Sequence, residues 1–143
     1  MKRGIIILLL ILVAVVITFY PRSFHQVMGI KEDSSIQASA IEQKEFRISP
    51  GTTVTIEDGE NSKKILDFFK SYQYRRAYIS YKELDGIPES FSVTFADDDG
   101  DGLRIVTAGD EYATFFHNGS SETVKVFGDK FDLSILRKLS AQD

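Results

Sequence analysis

The chain of 143 residues contains no cysteine. That excludes disulfides, thiolate metal sites, a cysteine nucleophile and the lipid-modified cysteine of a bacterial lipoprotein. Histidine is nearly absent as well. His25 and His117 leave little for a zinc site, which usually draws on several imidazoles or thiolates. Internal repeats and low-complexity tracts are lacking, so solenoids and arrays are not expected. No G-x-S-x-G elbow occurs, because "GSS" at 119–121 lacks that pattern, and no carboxylate pair sits in a recognisable acid–base setting. The candidate catalytic residues are therefore none. Basic residues are also too few for nucleic acid. Setting aside Lys2 and Arg3 leaves 15 of the 17 basic residues against 21 acidic ones after Tyr20, a net charge of −6. Phosphate backbones demand the opposite balance.

What the chain does have begins at its first residues. "MKRGIIILLLILVAVVITFYPR" opens with two basic residues and then runs uncharged from Gly4 to Tyr20. As a helix those 17 residues would span about 25 Å, the short end of what crosses a bilayer. The positive groups ahead of the run place the N-terminus in the cytoplasm and the remainder outside. Phe19 and Tyr20 suit the far interface, and Pro21 stops the helix. A cleaved signal peptide is the rival reading. Its apolar region is usually shorter, and the only A-x-A-like letters, at 38–40, lie too far on. An uncleaved anchor over residues 1–21 is expected, contacting the membrane through residues 4–20.

Residues 22–43 are polar and small with no steady period, and read as a stalk. A domain is expected over 44–143. In "ENSKKILDFFKSYQY", Ile65, Phe68, Phe69 and Tyr72 recur at helical spacing, with Asp58 or Asn61 to cap the start. Strands are expected on either side of Pro50-Gly51, then in "RRAYISYK", "SFSVTF", "LRIVTA", "EYATFFH" and "ETVKVF". Asn118-Gly119 signals a hairpin between the last two. A short terminal helix follows, capped by Asp132, with Ile135, Leu136 and Leu139 inward. The order β-β-α-β-β-β-β-β-α predicts an α+β fold: an N-terminal transmembrane helix, then a curved antiparallel sheet packed with one main helix and a short C-terminal helix.

Two stretches are candidate sites. In "FADDDGDGLRIV", Asp97, Asp99 and Asp101 fall on the first three ligand positions of a calcium loop, with Gly102 and Leu103 following. The pattern fails at its twelfth position, where Ala108 stands in place of glutamate, and the flanks alternate like strands. The loop reads first as an acidic turn and second as a weak calcium site of about millimolar affinity. In "YQYRRAYISYK", the residues Tyr74, Arg75, Arg76 and Tyr78 could form an aromatic and cationic ligand surface. The competing reading buries some of the rings as core and leaves the arginines in solvent.

Through its apolar N-terminus, its missing cysteines and the order "TVTIED…ILDFF…FSVTF…TVKVF…ILRKL", the chain resembles small membrane-anchored extracytoplasmic proteins of Gram-positive bacteria. The expected function is a membrane-anchored interaction or accessory module without catalytic activity, serving an unidentified protein or cell-envelope partner and no nucleic acid. The alternatives are a calcium-responsive binding domain using the loop at 97–101 and a hydrolase acting on cell-wall material.

Overall fold

A computed structural model describes residues 2–32, 34–97 and 102–141. The first element is the helix α1 (Lys2–Phe19), in which no residue is buried. A five-residue helix, α2 (Phe24–Met28), follows after a short extended link. Seven strands then form one antiparallel sheet: β1 (Ile36–Phe46), β2 (Thr52–Thr55), β3 (Gln73–Arg76), β4 (Pro88–Asp97), β5 (Leu103–Ala108), β6 (Tyr112–His117) and β7 (Ser120–Phe127). Their order across the sheet is β2-β1-β4-β5-β6-β7-β3. The remaining helices are α3 (Gly59–Lys70) between β2 and β3, α4 (Tyr81–Asp85) between β3 and β4, and the terminal α5 (Ser134–Ser140). The architecture is α+β with the expected apolar helix at its N-terminus.

The core forms where the helical stripe meets the alternating strands. Ile65, Phe68 and Phe69 of α3 are buried with Phe91, Val93 and Phe95 of β4 and with Leu103 and Ile105 of β5. Asp58 caps α3 by accepting a hydrogen bond from the Glu60 amide, which satisfies one of the donors orphaned at a helix start. At the β6–β7 turn, Asn118 and Gly119 both take positive φ, 49° and 74°, as a two-residue hairpin twisted with its strands requires. Asp132 does not cap α5 as expected: the N-cap is Leu133, which makes no side-chain cap bond, and Asp132, one residue earlier, accepts from the Ser134 amide at 3.2 Å. Leu136 and Leu139 point inward as expected, whereas Ile135 is exposed, because this helix of two turns turns only a narrow face to the core.

The expected stalk at 22–43 is not one. Phe24, Val27 and Met28 of α2 and Ile36, Ala38 and Ile41 of β1 belong to the core, and β1 lies inside the sheet between β2 and β4. Two local features hide this in the sequence. α2 is too short to display a helical period. In β1 a bulge shifts the register between Ala38 and Ala40, so the buried residues fall at 36, 38 and 41 and the alternation breaks. The domain follows directly on α1.

"RRAYISYK" also departs from its expected strand. The pairing of β3 with β7 ends at Arg76, and Ser80 then starts α4 through a capping box. Its hydroxyl accepts from the Glu83 amide, and the Glu83 carboxylate accepts from the Ser80 amide at 2.9 Å. The connection from β3 to β4 reaches the sheet face opposite α3. There Ile87 abuts Gly109, where an added Cβ would come within 2.9 Å of its Cγ2. Val106 and Ala108 point to that second face and are buried, as is Leu84 of α4.

Candidate functional site

α1 does not end in free chain. Three residues after its last turn, Arg22 forms an antiparallel bridge with Tyr74 on the edge strand β3, through N–O distances of 2.7 and 2.9 Å. The Arg22 guanidinium also forms a two-pronged ion pair with Glu122 of β7, to which Arg76 of β3 adds a third contact at 3.3 Å. Tyr74 and Arg76 are two apart on β3, and Glu122 lies on the neighbouring strand, so one edge collects all of these groups. Burial pushes the Glu122 carboxyl up, but the hydrogen bonds and charges of Arg22 and Arg76 outweigh it and hold the group below its ordinary value. Glu122 is thus ionised at neutral pH, and the membrane-length helix is fastened to the sheet by backbone and by charge.

Clefts lie along this edge. The larger, about 560 Å³, has Val27, Met28 and Phe115 for its apolar floor and Arg76, His117 and Glu122 among its polar walls. A smaller one, about 180 Å³, is walled on one side by Phe19, the last residue of α1, and on the other by Arg75, Tyr78, Ile79, Tyr112 and Lys125. Lys125 sits 5.5 Å from the centre of the Tyr112 ring and 3.7 Å from the Glu111 carboxylate. Arg75 makes no ion pair among the described residues.

The residues singled out in "YQYRRAYISYK" therefore divide. Tyr74 is wholly buried, its hydroxyl donating to the Phe69 carbonyl at 2.6 Å and its ring edge-on to Phe115. It cannot be part of a ligand surface. Burial also raises its phenol well above the ordinary value, with a smaller push from Tyr72. Arg76 is committed to Glu122. Arg75 and the exposed Tyr78 do share one surface, beside the end of α1. Lys125, Tyr112 and Phe19 complete it, and sequence spacing gave no sign of them because they come from three separate segments.

In the acidic stretch, Asp97 is the last residue of β4, paired with Ile36. Asp99 and Asp101 lie outside the described residues. Among the described residues, no three histidine or carboxylate side chains converge as a metal site would require. His25 on α2 is partly buried, its Nε2 without a hydrogen-bond partner among the described residues. Burial, and then the charge of Lys70, lower its pKa against a smaller opposing effect of Glu32. His25 is accordingly neutral and packs edge-on against Phe24. Set against protein-family models, curated proteins and solved structures, the chain matches none.

Proposed function

We propose that this protein is a single-pass, membrane-anchored interaction module whose α+β domain lies outside the cytoplasmic membrane and acts by binding rather than by catalysis. One observation carries the reading. α1 is 18 residues long and apolar enough to cross a membrane, yet none of its residues is buried by the rest of the chain. Isoleucines, leucines and valines left in water would each forfeit about 1.5–3 kcal/mol, so the helix requires an apolar surrounding that the domain does not supply. A bilayer supplies it. The basic Lys2 and Arg3 favour a cytoplasmic N-terminus, which sends the domain to the other side. The partner is a protein or envelope component met at the membrane surface.

The test is fractionation and protease protection on intact cells. Full-length protein should remain with the membrane through salt and carbonate washes, and protease added outside should digest the domain. Mature protein lacking residues 1–20 in the medium would overturn the anchor. Protection of the domain until the cells are opened would overturn the orientation.

A further inference from the structure

We propose that the sheet face bearing Arg75 and Lys125 docks on the bilayer in which α1 ends and binds the phosphates of anionic lipid headgroups. The inference rests on α1 spanning that bilayer. From it, the depth of the face follows by length alone. An 18-residue helix rises about 27 Å, close to the hydrocarbon thickness of about 30 Å, so Phe19 ends near the boundary of the apolar layer. Arg22 is three residues further, at most about 10 Å of extended chain, and it is bonded to Tyr74. The headgroup zone on each side is about 5–7 Å deep. Arg75 follows Tyr74 directly, and the strand register places Lys125 opposite it on β7. Long basic side chains at that height end among the headgroups.

Chemistry agrees with position. Phe19 walls one small cleft together with Arg75, Tyr78, Ile79, Tyr112 and Lys125. Tyrosines beside an apolar wall suit the interface, where rings with one wet end settle. Arg75 has no ion pair among the described residues. Lys125 has one acidic neighbour, Glu111, at 3.7 Å. Without Arg75 and Lys125, the part after Tyr20 holds 13 basic and 21 acidic residues, a net charge of −8, which an anionic surface repels. Attraction confined to one face and repulsion over the rest fix a single orientation, with the Arg75–Lys125 face toward the bilayer.

The full chain lacks cysteine, so one introduced thiol is unique. Gln73→Cys is exposed and two residues from Arg75, on the same side of β3. A fluorophore there, in bilayer discs holding the full-length protein, reports quenching by lipids with nitroxide headgroups. Discs of phosphatidylcholine alone are compared with discs of equal parts phosphatidylcholine and phosphatidylglycerol. Each Lys or Arg near an anionic surface shifts the docked population by about fivefold. Quenching should therefore be stronger in the anionic discs and fall to the neutral level in Arg75→Gln/Lys125→Gln. Salt at about 1 M, where screening acts over about 3 Å, should lower it likewise. Free inorganic phosphate, at matched ionic strength, should do no more than chloride, which separates a lipid headgroup from a free phosphate site. Equal quenching in both discs, or an unchanged signal in the double variant, overturns the proposal. So does a dye shielded in both discs from headgroup nitroxides and from soluble iodide, since a protein would then cover the face. Failure of the protein to enter either disc overturns the anchor itself, an outcome distinct from the others.

Discussion

The two edges of the sheet are treated differently. β3 is four residues long and closed by the chain that leaves α1: Arg22 pairs with the Tyr74 backbone, and Glu122 gathers Arg22 and Arg76. β2 is also four residues long, but β1 is its one partner strand and its threonines face solvent. Six strand spacings of about 4.8 Å separate them, about 29 Å across the sheet. Unpaired edges invite association with other chains, and short strands are one way of limiting that hazard. Here one edge is used for attachment and the other is only kept short. An edge strand's outward groups are thus a resource when the chain leaving an apolar helix lies beside them.

The comparison is broken most severely through the core that both edges share. Phe69 contacts Phe95 on β4 and Phe131 ahead of α5, and its carbonyl accepts from Tyr74 on β3. It is fully buried. Phe69→Ala should cost about 3–5 kcal/mol, lost transfer energy together with the cavity left behind. Chemical denaturation of the bilayer-disc protein checks this. A loss below about 1 kcal/mol would mean that the helix face is not what holds the sheet.

That much of the core was legible in the sequence, since "ILDFF", "SFSVTF" and "LRIVTA" carry clean periods over five or more residues. The β3 edge was not. Its parts are α2 and two residues of a four-residue strand, each too short to show a period. The capping boxes were the available clue. Ser23 with Gln26 and Ser80 with Glu83 both follow the pattern of a hydroxyl and, three residues on, a carboxylate or amide. They announce α2 and α4, the two helices that periodicity missed. Nothing local could have announced the Arg22–Glu122 pair, because its members are 100 residues apart. Tyr74 was left between surface and core for a related reason: alternation says that one of two faces is buried, and an edge strand of four residues does not say which.

A middle-sized effect sharpens the contrast between the edges. Glu122→Gln leaves Arg22 and Arg76 without their shared carboxylate and should cost about 1 kcal/mol, the upper part of the range for partly exposed pairs. Thr53→Ala on β2 should cost less than about 0.5 kcal/mol, as surface positions do. The pH dependence follows the same division. The Glu122 pKa is lower in the folded chain than its ordinary 4.5. Its stabilisation is therefore complete above that value and is lost as the pH falls through the folded value. His25, also lowered, begins to weaken the fold earlier, as the pH drops below 6.5 and the unfolded chain takes up the proton first. Melting curves from pH 7.5 to 3 should show both steps. The Glu122→Gln variant should lack Glu122's share of the lower step, to which the lowered carboxyls of Glu89 and Asp132 also contribute, and keep the upper one. A variant with the wild-type acid profile would show that the triad does not fasten the edge.

The smallest expected effect concerns the acidic stretch that closes β4. If 97–101 is a turn, Asp97→Asn with Asp99→Asn should change stability by less than about 0.5 kcal/mol. Relief of repulsion among neighbouring carboxylates, screened over about 8 Å at physiological salt, would favour the variant slightly. If the stretch instead held calcium, the ion would bind the native chain alone. Stability would then rise with the logarithm of ion concentration over its dissociation constant. For a site of about millimolar affinity, about 10 mM calcium should add about 1.4 kcal/mol. Magnesium would do little, since it demands a tighter octahedral set of ligands than calcium does. The expected result is no calcium-dependent change in melting temperature for the bilayer-disc protein. A rise of several degrees that magnesium does not reproduce, and that the double variant abolishes, would give the end of β4 a ligand. The surface of Arg75 and Lys125 would then share the domain with a second, ion-dependent surface.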